Sequence, residues 1–120
     1  HGVQPLMFIG KVARLAGTTV KCIRHYEAIG LLPEPRREGK YRIYTQETVE
    51  RLSFIKGAQQ LGFKLKEMQV ILQGQQAGDL PRQLMLDAIV AKKIELSVQM
   101  TQLQQMLDGL QAFERQLINA

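Results

Sequence analysis

Apolar residues in this chain recur mostly at steps of three and four, so the elements they predict are helices. Ile9, Val12, Ala13 and Ala16 share one face of a two-turn helix over 8–17, and Gly17 suits the left-handed residue that follows a helix end. Thr19 opens a second helix, because its hydroxyl can accept from the amide of residue 21 or 22. That helix shows Val20, Ile23 and Ala28 on one side and Lys21, Arg24 and His25 on another, and Gly30 stops it. Leu31 and Leu32 return to the core, and Pro33 and Pro35 force an extended path. From Arg36 to Tyr44 the β-type residues surround Gly39, which predicts two short strands with a turn near Glu38-Gly39.

Helical spacing then resumes. Thr45 is placed to cap a helix that carries Glu47 in its first turn and Val49, Leu52, Phe54, Ile55, Ala58 and Leu61 at apolar positions. Gly62 bends the chain into a shorter helix over 65–73 that uses Leu65, Met68, Ile71 and Leu72. A hinge over 75–81 follows, and Pro81 is tolerated in the first turn of one long helix reaching residue 118. At 1.5 Å per residue that helix spans on the order of 55 Å. Its seam runs Leu86, Ile89, Lys93, Leu96, Met100, Leu103, Leu107, Leu110, Glu114 and Leu117. The alternating steps of three and four make a heptad repeat, which asks for a partner helix. No other helix in the chain is long enough to cover it. A second copy, running antiparallel, would cover it and hold the two basic ends apart.

The fold expected is therefore all-α with a small β wing. A winged helix-turn-helix DNA-binding domain over 7–74 is followed by the hinge and by a long antiparallel coiled-coil dimerisation helix over 82–120. Residues 1–6 read as a tag remnant or leader.

Charge sharpens this division. Residues 1–66 hold 12 Lys or Arg against 5 Glu, and residues 67–120 hold 4 against 6 Asp or Glu. A basic first half suits a polyanion, and a near-neutral second half suits a protein partner. Aromatic residues are 6% of the chain and Trp is absent, so the core must be aliphatic. The single cysteine, Cys22, excludes an internal disulfide and fits a reducing, cytoplasmic setting. No run of 18 apolar residues exists, so no membrane span is expected. Catalysis finds no support: no nucleophile–base spacing, Gly-rich phosphate loop or H-E-x-x-H motif appears. No cofactor is implied.

Four of the nine residues 36–44 are Arg or Lys and two are Tyr. A basic β-turn beside a helix-turn-helix is a wing, suited to gripping phosphates that flank a groove. The run Ile23-Arg24-His25-Tyr26-Glu27 followed by Gly30-Leu31-Leu32, with Ile9-Gly10-Lys11-Val12-Ala13, Tyr41-Arg42-Ile43-Tyr44 and Leu61-Gly62-Phe63, resembles the MerR family of bacterial transcriptional regulators over roughly residues 7–73. The resemblance implies a homodimer that binds an inverted repeat in promoter DNA. It implies that the dimer bends and untwists the spacer on receiving a signal, and so acts on RNA polymerase indirectly through the promoter. Sites read through deformability need few base contacts. By the same resemblance Arg24 contacts DNA from the recognition helix, with Thr19 and Lys21 at its start. His25 and Tyr26 reach the backbone, Tyr41 and Arg42 serve in the wing, and Lys64 contacts DNA from the second helical joint. The dimer seam is Leu86, Ile89, Leu96, Met100, Leu103, Leu107 and Leu110.

Two departures from the family pattern are Cys22, where Thr is frequent, and His25, where Tyr is frequent. Metal-sensing members carry a cysteine near the start of the long helix and more in a loop after it. Here Gly78-Asp79-Leu80 stands at the start, and neither that loop nor an appended effector domain is expected. Cys22 is a candidate thiol sensor at a helix N-terminus; the alternative is a small packing residue in a Thr-like slot. His1 and His25 lack the ligand spacing for a metal. A different class of function also fits the long Gln-rich helix: a coiled-coil interaction module whose basic surface docks an acidic protein.

Overall fold

The computed structural model describes residues 5–120, so four of the six residues read as a leader, His1 among them, lie outside the described residues. The elements are α1 (Ile9–Ala16), α2 (Val20–Ala28), β1 (Arg36–Glu38), β2 (Tyr41–Ile43), α3 (Gln46–Gln60), α4 (Leu65–Leu72) and α5 (Arg82–Ile118). Two compact units divide the chain, one reaching Met85 and the other Leu86–Ala120.

In the first unit α1 packs against α2 and α3. Val12, Ile23, Leu31, Ile55, Met68 and Leu72 are fully enclosed, which makes an aliphatic core without any tryptophan. The α1–α2 turn is tight because Gly17 adopts φ 67°, a conformation costly for residues with a Cβ. The Gly17 amide donates to the Arg14 carbonyl, and the Thr18 amide donates to that of Ala13. Thr19 then caps α2 as its spacing predicts, its hydroxyl accepting from the Cys22 amide at 3.0 Å. Thr45 stands at the N-cap of α3, but its side chain makes no capping bond.

β1 and β2 pair antiparallel in the register Arg36–Ile43, Arg37–Arg42 and Glu38–Tyr41. Their turn is Gly39-Lys40, one residue later than the sequence pattern suggests. Beyond β2, Tyr44 exchanges two main-chain hydrogen bonds with Met7 at 2.8 Å, which ties the base of the wing to the segment before α1. Both residues are buried.

Two apolar assignments fail. Ala28 is exposed, since at about 100° per residue it lies about 140° round α2 from the buried Ile23. Leu61 is 71% exposed, because it follows α3 at the cap position, where the chain leaves the helical path before Phe63 returns to the core.

The second unit is the length of α5 from Leu86 onward. Side chains along it bond within the helix. Lys92 pairs with Glu95 at 3.1 Å, Gln104 donates to Asp108 at 2.9 Å, and Ser97 and Thr101 donate back to carbonyls four residues earlier. Its seam lies open in the single chain: Leu86, Ile89, Leu96, Met100, Leu103, Leu107 and Leu110 are between 41% and 70% exposed.

Candidate nucleic-acid interface

The recognition helix presents its basic residues as its periodicity requires. Ile23 faces inward with no exposure, while Lys21, Arg24 and His25 are exposed. Ile23 and Arg24 are adjacent, and a 100° step per residue separates core from surface. The exposed Thr19 hydroxyl is already engaged in capping.

The wing brings further cations to Arg24. A concavity of about 240 Å³ between α2 and the wing is lined by Arg24, Glu27, Glu34, Arg37 and Arg42. A second, of about 210 Å³, is lined by Phe8, Arg24, Arg37, Lys40, Tyr41 and Arg42. Arg24, Arg37 and Arg42 line both, so arginines from α2 and from both strands of the wing border one surface. Phe8 supports that surface, its ring lying 5.7 Å from that of Tyr41 at an angle of 52°. Tyr41 is otherwise exposed.

Glu27 is the organising carboxylate and was not legible as such in the sequence. It accepts from Arg42 Nη1 through one oxygen and from the Tyr44 hydroxyl through the other, at 2.5 Å. Charge-assisted bonds of this kind are the strong ones. Glu27 is largely covered and Arg42 about one-quarter exposed. One residue of α2 thereby holds the strand that carries Arg42 and the residue at the base of the wing. Burial pushes the Tyr44 hydroxyl up to about 12, and its bond to Glu27 adds to the shift. Arg42 therefore serves first in an internal ion pair and offers only its remaining donors outward.

Tyr26 points the other way. It is half-buried, and its hydroxyl donates to Gln59 Oε1 of α3 at 3.1 Å. Burial pushes it up to about 12, with the Cys22 thiol one turn earlier adding to the effect. The expectation that Tyr26 reaches a DNA backbone meets a hydroxyl already committed to α3. Cys22 is half-buried against this side. Lys64 is exposed at the start of α4 and lines neither concavity; its amide donates to the Glu67 carboxylate at 2.9 Å. Among the described residues no group of three or more His, Cys, Asp or Glu could hold a metal ion. No helix there is long and apolar enough to cross a membrane.

Residues 7–75 match the model of the MerR HTH family of regulatory proteins. The chain belongs to the MerR family. A second MerR family model, described as DNA binding, matches residues 49–113. The mercuric resistance operon regulatory protein of Bacillus cereus is 51% identical over 65 residues, covering 53% of this chain and 49% of that protein. The chain spans about half the length of the curated relatives it matches. Among solved structures, a MerR-family transcriptional regulator from Bacillus cereus superposes with a TM-score of 0.59 at 28% identity, over 87% of this chain and 76% of that one. HiNmlR, a MerR-family regulator lacking the sensor domain and bound to promoter DNA, shares the fold with a TM-score of 0.61 at 23% identity, over 89% of this chain and 86% of that one. In this MerR-family chain Arg37 and Lys40 of the basic wing and Glu27 of the motif run join Arg24, Tyr41 and Arg42 around one surface.

Proposed function

We propose that the chain acts as a transcriptional regulator that binds an inverted repeat in promoter DNA as a homodimer and controls transcription by bending and untwisting the spacer. The observation that carries this is the convergence of Arg24, Arg37 and Arg42, from recognition helix and wing, on one exposed surface. In the proposal Arg24 reads or grips the groove and Lys21 and His25 flank it. Tyr41 and the free donors of Arg42 hold the adjoining phosphates, and Lys64 adds an outlying phosphate contact. Tyr26 acts through Gln59 as a support for the helix. The open heptad seam of α5 supports pairing with a second copy, since burying each leucine would contribute about 1.5–3 kcal/mol. RNA polymerase is affected through the geometry of the promoter. The half-buried position of Cys22 supports packing over thiol sensing.

The test is binding to duplexes that carry an inverted repeat from the region upstream of the protein's own coding sequence, against the same duplex with one half-site scrambled. A strong preference for the intact repeat is expected. Arg24→Ala should weaken binding by about 1–3 kcal/mol and relax preference at one position if the contact is a bidentate base contact. Equal loss on all sequences would assign Arg24 to phosphate. Equal binding to intact and scrambled repeats would refute the proposal.

A further inference from the structure

Arg51 is a cation in the core. It lies on the inward face of α3 among Thr48, Leu52 and Ile55, and only 2% of it is exposed. Nothing in helix periodicity calls for a guanidinium there, and an apolar side chain would pack without desolvating a charge. Its bonds explain the choice. One terminal nitrogen donates to the carbonyls of Gln76 at 2.5 Å and Asp79 at 2.6 Å. The other donates to the carbonyl of Leu31 at 3.5 Å. The planar fork of arginine can reach two chain segments at once, which the point charge of lysine cannot do in the same way. Its Nε is buried without a partner, a state that costs about 1–3 kcal/mol.

The two segments are functionally distinct. Gln76 and Asp79 close a turn within the hinge, where the Asp79 amide donates back to the Gln76 carbonyl at 3.0 Å. The chain runs on from that turn into α5. Leu31 follows the recognition helix, and its amide and that of Leu32 bond to the Tyr26 carbonyl. The contacts are unequal in a telling way. Two short bonds make the guanidinium follow the hinge turn, while the single long bond to Leu31 is the one that a small hinge displacement breaks or tightens.

We infer that Arg51 is a positioning residue that couples the hinge turn at 76–79 to the C-terminal end of the recognition helix, so that a displacement of the hinge changes how that helix is held. The inference deepens the regulatory reading above: it names the route by which a signal received beyond the hinge would alter the DNA-reading helix, and rests on that reading for its consequence.

The full chain, labelled for amide resonances, tests the link without DNA. Asp79→Pro removes the amide that closes the hinge turn. In an otherwise wild-type chain it should shift the Leu31 and Leu32 resonances; beside Arg51→Lys most of that shift should vanish. Equal shifts in both backgrounds would overturn the inference. If Arg51→Lys loses its folded spectrum, Arg51→Gln takes its place. A second readout uses the inverted-repeat duplex. Coupling is reciprocal, so DNA should change exchange of the Gln75 and Asp79 amides, by about fivefold at the low end of such effects, in the wild type and not in the Arg51 variant. Unchanged hinge exchange in a wild-type complex would overturn the inference. Failure of the wild type to bind the duplex would overturn the regulatory reading, while the resonance experiment still decides the role of Arg51.

Discussion

Glu27 joins the recognition helix to the wing, and its removal has a calculable effect. Glu27→Ala deletes the acceptor of both Arg42 Nη1 and the Tyr44 hydroxyl. Tyr44 is only 4% exposed, and its hydroxyl would lose its charged acceptor and keep only Arg42 as a partner, at about 1.5–3 kcal/mol. Arg42 is partly exposed and can recover solvation, so the lost ion pair contributes no more than the upper end of the range for exposed pairs, about 1 kcal/mol. The expected destabilisation of the first unit is about 3 kcal/mol, a drop in Tm of about 12–24 °C for a unit of this size. Urea unfolding followed by tyrosine fluorescence is suited to the measurement. Trp is absent, and all three tyrosines, Tyr26, Tyr41 and Tyr44, lie in the first unit, so α5 does not contribute to the signal. A double-mutant cycle with Arg42→Ala isolates the pair, with an expected coupling of about 1 kcal/mol. Additivity within about 0.3 kcal/mol would refute the view that the Glu27–Arg42 bond fixes the wing.

Alkaline pH gives an independent check on Tyr44. Its folded value of about 12 exceeds the ordinary 10, so the proton is held more tightly in the folded chain. The associated stability is fully present below pH 10 and is lost as pH rises through 12; two pH units correspond to about 3 kcal/mol. Tyr44→Phe should lose its share of that alkaline slope in urea titrations, and an unchanged slope would remove Tyr44 as its source. In α5, Leu103→Glu places a charge in the middle of the seam and should convert a dimer to a monomer in light scattering at micromolar concentration. A wild-type chain that is monomeric at every concentration would contradict the proposed pairing.

Short-range physics made much of this fold legible. Thr19, Ile23 and Gly17 announce a capped, two-faced helix after a tight turn, and each behaves as its residue type requires. The steps of three and four from Leu86 onward likewise mark an apolar stripe on one continuous helix. Terminal positions were less legible. Leu61 fits the apolar period, yet it sits where a helix is ending and the period no longer decides which way a side chain points, while Ala28, five residues after Ile23, falls off the inward face of α2 by the period itself. The polar network was not legible, because its partners are far apart in sequence. Glu27 meets residues 15 and 17 positions away, and Arg51 meets carbonyls 20 to 28 positions away. No local pattern encodes such pairs. A charged residue at an inward helical position, as at Arg51, was the one available signal, and it points to a buried partner without naming it.

The proposal that the chain regulates transcription through DNA rests on an electrostatic surface, and the most direct measurement is the salt dependence of binding to the inverted-repeat duplex. Each phosphate neutralised releases counterions, so the logarithm of the binding constant should fall linearly with the logarithm of salt concentration, with a slope of about 0.9 per contact. With Arg24, Arg37 and Arg42 on the surface of each protomer, a dimer should give a slope steeper than about 5. Arg37→Ala should reduce it by about one for each copy. A slope near zero, with binding that survives high salt, would contradict the claim that this surface holds DNA.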